Sequence, residues 1–202
     1  MLDRFALALL GPSLAGVARG LARAGVQADQ VTLVGFGIGM AGAAAIAWQQ
    51  YVIGLVLALA SRLFDGLDGA LARLTAPTDR GGFLDITLDF LFYASMPLAF
   101  ALADPAANAL AAAVLLAAFI GTATTFLAFA ALAAQRGLKS VAYPSKGIYY
   151  LGGLTEATET LACFALMCLW PVHFALFAYG FASLCALTIV MRLWAGWKAL
   201  TP

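Results

Sequence analysis

The sequence has few charged residues and few of the side chains that usually build metal or redox sites in soluble proteins. Only 10% of its 202 residues are charged, against about 25% in an ordinary soluble domain. It has one histidine and three cysteines, and no two cysteines form a CxxC pair. The formal net charge is +1, so there is no basic surface of the kind that binds nucleic acid. These shortages exclude a soluble domain, a disulfide framework and a nucleic-acid partner.

Long hydrophobic segments account for most of the chain, since 64% of the residues are hydrophobic. A membrane-spanning helix needs about 20 apolar residues, and the sequence has room for six. Residues 2–24 predict an amphipathic helix in the membrane interface, because Arg19 and Arg23 lie together on one face of it. We therefore expect a single all-α membrane domain over residues 1–202, with an interfacial helix and six transmembrane helices, at about 29–48, 52–73, 83–103, 109–135, 149–170 and 173–197.

The loops that join these segments differ in charge. The loops around Gln49, Asp104 and Pro171, which lie on one side of the predicted membrane, contain no lysine or arginine, whereas the loops on the other side are basic. By the positive-inside rule, the basic side is cytoplasmic. We therefore expect both termini in the cytoplasm, on the side that carries Arg4, Arg19, Arg23, Arg80, Arg136, Lys139, Lys146 and Lys198.

Residues 37–42 match the formal pattern GxGxxG of dinucleotide-binding proteins. That fingerprint requires a preceding strand and a soluble βαβ unit, whereas these glycines lie inside a predicted spanning helix. Small residues let transmembrane helices approach each other closely. The sequence therefore predicts helix packing here, and no nucleotide site.

Four carboxylates lie within 25 residues of an otherwise almost uncharged chain: Asp65, Asp68, Asp85 and Asp89. At 100° per residue, the first two share one face of a helix and the last two form a stripe on the next. The short connection makes the two helices antiparallel neighbours. We therefore expect the four carboxylates to face each other near the cytoplasmic side.

Four converging carboxylates repel one another unless cations neutralise them. Oxygen ligands suit Mg²⁺ or Mn²⁺, and four aspartates are enough for two ions. Because such ions favour phosphate ligands and Arg73 lies nearby, the pattern indicates phosphoryl transfer. Two alternatives remain: structural salt bridges, such as Asp68 with Arg73 or Arg62 with Asp65, and a cation transporter or channel that uses the same acids as an ion path.

The run from Asp65 to Asp89 resembles the signature of the CDP-alcohol phosphotransferases at all eight of its fixed positions. The expected architecture resembles that of the family too. Residues 33–36, 82–85 and 149–156 resemble a small proteobacterial inner-membrane branch of unassigned alcohol acceptor. The eight positions are Asp65, Asp68, Gly69, Ala72, Arg73, Gly81, Asp85 and Asp89.

The resemblance implies transfer of a phosphatidyl group from CDP-diacylglycerol to a small alcohol, with release of CMP. It implies that Asp65, Asp68 and Asp85 ligate metal, and that Asp89 completes a second metal site and acts as general base. It also implies a homodimer in the bacterial inner membrane. The residues it assigns to the CDP moiety are Gly69, Ala72, Arg73, Gly81 and Thr32, although Asp29 departs from the asparagine that other members have near the nucleotide.

The alcohol acceptor is not identified by these motifs, and glycerol 3-phosphate, serine, an inositol phosphate or another small alcohol all remain open. Two glutamates near the start of the fifth predicted span are costly in lipid unless they face a wet or ionic cavity. They either line an acceptor pocket or pair with Arg62 or Arg192. The candidate acceptor residues are Lys146, Arg136, Lys139, Glu156 and Glu159.

Overall fold

A computed structural model describes residues 3–137 and 153–200. The regular structure in these two ranges is helical, and they contain no strand. A single 3-10 turn, Pro171–His173, precedes the last helix. The α-helices are α1 (Asp3–Arg23), α2 (Ala28–Ala47), α3 (Tyr51–Thr75), α4 (Asp79–Ala103), α5 (Pro105–Gln135), α6 (Ala157–Leu169) and α7 (Phe174–Leu200).

Four of the helical segments are long and apolar enough to cross a membrane: α2, α4, α5 and Pro171–Leu200, which contains α7. Helix α3 is as long as α4, at 25 residues, but its second half carries the charges of the acidic motif. Helix α6 has 13 residues and is about 20 Å long at 1.5 Å per residue. The chain is therefore an all-helical, multi-pass membrane protein.

Two helices begin earlier than the sequence predicts, because polar side chains cap them. Helix α4 begins at Asp79 rather than at residue 83, since the Thr78 hydroxyl accepts a hydrogen bond from the Gly81 amide at 3.0 Å. Helix α5 begins at Pro105 rather than at residue 109. There the Asp104 carboxylate accepts from the Ala107 amide at 3.1 Å, and proline suits the first position of a helix.

The predicted fifth span is wrong over residues 153–156, which are not helical. The Gly153 amide donates to Glu156 Oε1 at 3.4 Å, and the Leu154 amide donates to the Thr188 hydroxyl of α7 at 3.2 Å. Side chains thus satisfy backbone groups that a helix would otherwise pair. Glu156 is consequently the residue before α6 and not a residue within a span; residues 149–152 lie outside the described chain.

The apolar core lies at the end of the bundle where α4 meets α5 and the start of α7. Phe100 is fully buried, stacks on Phe174 with ring centroids 4.6 Å apart, and stacks on Tyr51 at 5.6 Å. Leu115 and Met167 bring α5 and α6 into the same cluster. This cluster packs the C-terminal half of α4 against its neighbours.

The glycines of α2 confirm the prediction of close helix packing. A Cβ atom at Gly39 would lie 2.7 Å from Phe92 Cδ2 and 2.8 Å from Ser61 Oγ, and one at Gly35 would lie 2.7 Å from Phe64 Cβ. Gly37, by contrast, faces open space. Gly35 and Gly39 therefore let α2 pack closely against α3 and α4, beside the acidic motif.

Candidate active site

The four aspartates of the motif line one small cavity between α2, α3 and α4. Asp65 and Asp68 come from the second half of α3, while Asp85 and Asp89 come from the first half of α4. Thr32 lines the same cavity from α2. The two acidic stripes therefore face each other across one cavity, as the sequence predicts.

Arg62 lies among these carboxylates, one turn before Asp65 on α3. Its Nη1 atom is 3.3 Å from Asp65 Oδ1 and also pairs with Asp89 Oδ1 on α4. The guanidinium lies over the Phe92 ring, with Cζ 4.0 Å from the ring centroid, and Nη2 donates to Ser61 Oγ at 3.3 Å. Half of the acidic cluster thus has a cationic partner, as the salt-bridge alternative predicts for Asp65.

The other half of the cluster has no such partner. Asp68 is only 5% exposed, and its Oδ2 atom has no hydrogen-bond partner among the described residues. Neither Asp68 nor Asp85 forms an ion pair within residues 3–137 and 153–200. A buried, unpartnered carboxylate oxygen is costly, and the salt-bridge alternative therefore fails for this half of the cluster.

The oxygen-only donor set and the unpartnered Asp68 Oδ2 fit a hard divalent cation. The carboxylates do not yet form a finished metal centre, since no group of three or more His, Cys, Asp or Glu side chains in the described part of the chain could hold an ion as it stands. Arg62 contacts two of the four carboxylates, those of Asp65 and Asp89. The donor types therefore fit a divalent cation, although two of the four carboxylates are paired with an arginine.

Of the residues assigned to CDP, Thr32 lines this cavity from α2, and the other four lie near the end of α3 or in the first turn of α4. Ala72 is half-buried and Arg73 is exposed; a Cβ atom at Gly69 would lie 3.3 Å from Arg73 Nη1, so the guanidinium folds back over the glycine. The Thr32 hydroxyl donates to the Ala28 carbonyl at 3.1 Å.

Asp29, which departs from the asparagine of other members, has a partner of its own. Its Oδ2 atom accepts from Arg80 Nη2 at 2.6 Å and from Arg80 Nε at 3.0 Å. A Cβ atom at Gly81 would lie 3.0 Å from Asp29 Oδ1. A side chain at position 81 would therefore have to displace the Asp29 carboxylate slightly.

A second, larger cavity of about 820 Å³ adjoins the acidic cluster and shares Asp85 and Asp89 with it. Its far wall carries buried polar groups, of which Glu156 and Arg192 are each 8% exposed. Arg192 Nη1 donates to the Thr122 carbonyl at 3.0 Å. The cavity is thus acidic at one end, mixed in charge at the other, and lined by aromatic rings between them.

The candidate acceptor residues do not all come together. Glu156 lines the large cavity, whereas Glu159 and Arg136 are not among its lining residues. Arg136 Nη1 instead donates to the Leu200 carbonyl at the end of α7, at 2.6 Å. Lys139 and Lys146 lie outside the described residues.

The sequence analysis names Arg62 and Arg192 only as salt-bridge partners, and the structure places both of them at these cavities. The expected partner of Arg62 is Asp65, but Arg62 also contacts Asp89, which lies 27 residues further along the chain on the next helix. Arg192 was considered a partner of the glutamates, and it lines the cavity with Glu156. An arginine inside an otherwise apolar helix is the signal for both, because such a residue faces the protein interior.

The helices and the paired cavities describe a membrane-embedded protein with an acidic site facing a large pocket. The family model for CDP-alcohol phosphatidyltransferase matches residues 26–194, which covers the whole acidic motif. The chain belongs to the CDP-alcohol phosphatidyltransferase family.

Individual relatives agree with this assignment. The chain is 52% identical over 200 residues to the inner membrane protein YnjF of Escherichia coli strain K12, covering 99% of this chain and 97% of that protein. It is 46% identical over 70 residues to the archaetidylinositol phosphate synthase of Methanothermobacter thermautotrophicus, covering 34% of this chain and 36% of that enzyme. The first similarity extends over nearly the whole of both chains.

The fold is similar to that of the phosphatidylinositol phosphate synthase PgsA1 of Mycobacterium tuberculosis. The crystal structure of that protein with CDP-DAG bound superposes with a TM-score of 0.73 at 24% identity, covering 94% of this chain and 97% of that chain. A second PgsA1 structure, in complex with manganese and citrate, gives 0.71 at 24% identity, covering 94% and 92% of the two chains. At this identity the likeness is one of fold.

Proposed function

We propose that this protein transfers a phosphatidyl group from CDP-diacylglycerol to a small alcohol and releases CMP, as a step of phospholipid synthesis. The observation that carries the proposal is the convergence of all four motif aspartates on one cavity, which shares Asp85 and Asp89 with a second, larger cavity. Family membership supports the reaction class. The PgsA1 structure with CDP-DAG bound supports the choice of donor.

In this proposal, a divalent cation pair, Mg²⁺ or Mn²⁺, is held by Asp65, Asp68, Asp85 and Asp89. When bound, the ions supply Lewis-acid charge for the pyrophosphate oxygens. The manganese complex of PgsA1 supports a divalent metal. The unpartnered Asp68 Oδ2 supports the same conclusion from this chain's own residues.

The roles of the protein groups follow from their positions. Arg73, with Gly69, Ala72, Gly81 and Thr32, binds the CDP moiety. Asp89, which lines both cavities, takes the proton from the acceptor hydroxyl. The acceptor oxygen then bonds to the phosphorus next to diacylglycerol, the pyrophosphate bond breaks, and CMP leaves with the bridging oxygen.

The large cavity is the proposed acceptor pocket, since it begins at Asp85 and Asp89 and ends at buried polar side chains. Glu156 and Arg192 give its far end both signs of charge. Thr155 adds a hydroxyl to the same wall. This lining favours a small, highly polar alcohol. Of the other candidates, Glu159 and Arg136 do not line this cavity, and Lys139 and Lys146 lie outside the described residues.

We further propose that the protein is a homodimer in the bacterial inner membrane, with six spans and with both termini and the active site in the cytoplasm. The name of the Escherichia coli relative supports the membrane. Helix α3 and the predicted fifth span at about 149–170, whose helical part among the described residues is α6, complete the six spans in this proposal. Helix α1 lies in the interface; its exposed Arg19 and its fully buried Ala18 are consistent with one wet and one packed face.

The test is product analysis with purified protein in nanodiscs that contain CDP-diacylglycerol and Mg²⁺. A panel of glycerol 3-phosphate, serine, inositol phosphate and other small alcohols is supplied, and CMP and new lipids are measured by mass spectrometry. We expect CMP and one new phosphatidyl lipid in equal amounts. Absence of CMP with every acceptor, together with cation flux in sealed vesicles, would instead favour the transporter alternative.

A further inference from the structure

We propose that Arg62 is a built-in counter-cation of the acidic site, which competes with the divalent metal for Asp65 and Asp89 and so weakens metal binding on that side. This inference rests on the proposed metal site, and it concerns a residue outside the family signature. Its consequence is a site with two unequal halves. The half formed by Asp68 and Asp85 takes an ion readily, whereas the half held by Arg62 takes one only when the guanidinium moves away.

The first step of the argument is geometric. A single atom, Arg62 Nη1, contacts both Asp65 Oδ1 and Asp89 Oδ1. These oxygens come from different helices, so Nη1 occupies a bridging position of the kind that a shared metal ion needs. The guanidinium and an ion therefore cannot hold the same pair of oxygens together.

The second step concerns how Arg62 is held. Its side chain is only 12% exposed, and ring faces support it, with Cζ 4.0 Å from the Phe92 centroid and 5.5 Å from the Tyr93 centroid. Cation–π contact stabilises a guanidinium without any carboxylate. The aromatic rings can therefore hold the guanidinium beside the cluster when Asp65 and Asp89 bind a metal ion.

The third step is that the arginine fits this position incompletely. Its Nε atom is buried and has no hydrogen-bond partner among the described residues. On the other side of the cluster, Asp68 Oδ2 is equally unpartnered. An arrangement that leaves a donor and an acceptor unsatisfied is one that a divalent ion can displace.

The test is Mn²⁺ binding by calorimetry to the full-length protein in nanodiscs, comparing the wild type with Arg62→Gln and Arg62→Lys. Removing the charge should tighten the weaker binding step at least tenfold, about 1.4 kcal/mol. Lysine keeps the charge and should stay within about threefold of the wild type. Arg80→Gln is the matched control, since it also removes an arginine paired with an aspartate, but lines neither cavity.

A second readout separates this role from a merely structural one. Without metal, Arg62→Gln should melt below the wild type, because Asp65 and Asp89 lose their counter-charge. With saturating Mn²⁺ that difference should vanish or reverse in sign. A structural arginine would give the same loss of melting temperature with and without Mn²⁺, and that result overturns the proposal.

The outcomes also separate this inference from the proposed function. Equal or weaker Mn²⁺ binding by Arg62→Gln, with metal-dependent CMP release intact in the wild type, refutes the role of Arg62 alone. Absence of Mn²⁺ binding in every protein, with no CMP release from the wild type, refutes the metal site and the role of Arg62 with it.

Discussion

The two halves of the α3–α4 helix pair differ in the side chains that lie between the helices. In one half, aromatic rings fill the space: Phe100 is fully buried between Tyr51 and Phe174. In the other half, carboxylates crowd a cavity, and Asp68 keeps a buried oxygen with no partner. The first arrangement favours stability and the second works against it. The costly half is therefore the one that a bound ligand must complete.

The largest effect should come from removing a ligand in the acidic half. Asp68→Asn or Asp85→Asn should lower CMP release at least about a hundredfold, since a metal contributes several kcal/mol to the transition state. Mn²⁺ affinity measured by calorimetry should fall with it. Asp104→Asn is the matched control at the other end of α4, where asparagine still caps α5; an equal loss of activity there would contradict the assignment.

The next effect separates binding from proton transfer. Asp89→Asn should lower turnover by about 10²–10⁴, the usual contribution of a positioned base, and change the KM for CDP-diacylglycerol much less. Steady-state kinetics at saturating acceptor measures both quantities. Turnover within tenfold of the wild type would exclude the base role.

The aromatic half should respond in stability and not in chemistry. Phe100→Ala should lower the free energy of unfolding by about 3 kcal/mol, because a large buried side chain leaves a cavity. Mn²⁺ affinity should stay unchanged. Leu102→Ala, on the same helix but 61% exposed, is the control for lost apolar surface. If Phe100→Ala changed the free energy of Mn²⁺ binding more than the free energy of unfolding, the aromatic half would not be independent of the acidic half.

These halves were not equally accessible to sequence reasoning. Hydropathy predicted the helices, and the spacing of the aspartates predicted their facing stripes, because both depend on local periodicity. The non-helical stretch at residues 153–156 was missed because its amide partner, Thr188, lies 34 residues away from Leu154. The link from Arg62 to Asp89 was missed for the same reason. Contacts between helices are set by tertiary packing, which no single segment encodes.

The smallest effect concerns the acceptor pocket. Glu156→Gln should raise the acceptor KM about three- to tenfold, the cost of weakening one charged hydrogen bond, and leave the KM for CDP-diacylglycerol unchanged. Glu159→Gln, three residues further along in the first turn of α6, is the matched comparison and should have the smaller effect, because Glu159 does not line the cavity. A larger effect of Glu159→Gln would indicate that the acceptor binds outside this cavity.

The central claim is that the acidic half performs metal-dependent phosphatidyl transfer. The most direct measurement is CMP release from CDP-diacylglycerol by the wild-type protein and Asp68→Asn in nanodiscs, titrated with Mn²⁺ in the presence of the acceptor panel. The account predicts release that rises with Mn²⁺ to saturation in the wild type and is nearly absent in the variant. Release by the wild type that is independent of Mn²⁺, or equal in Asp68→Asn, would contradict it.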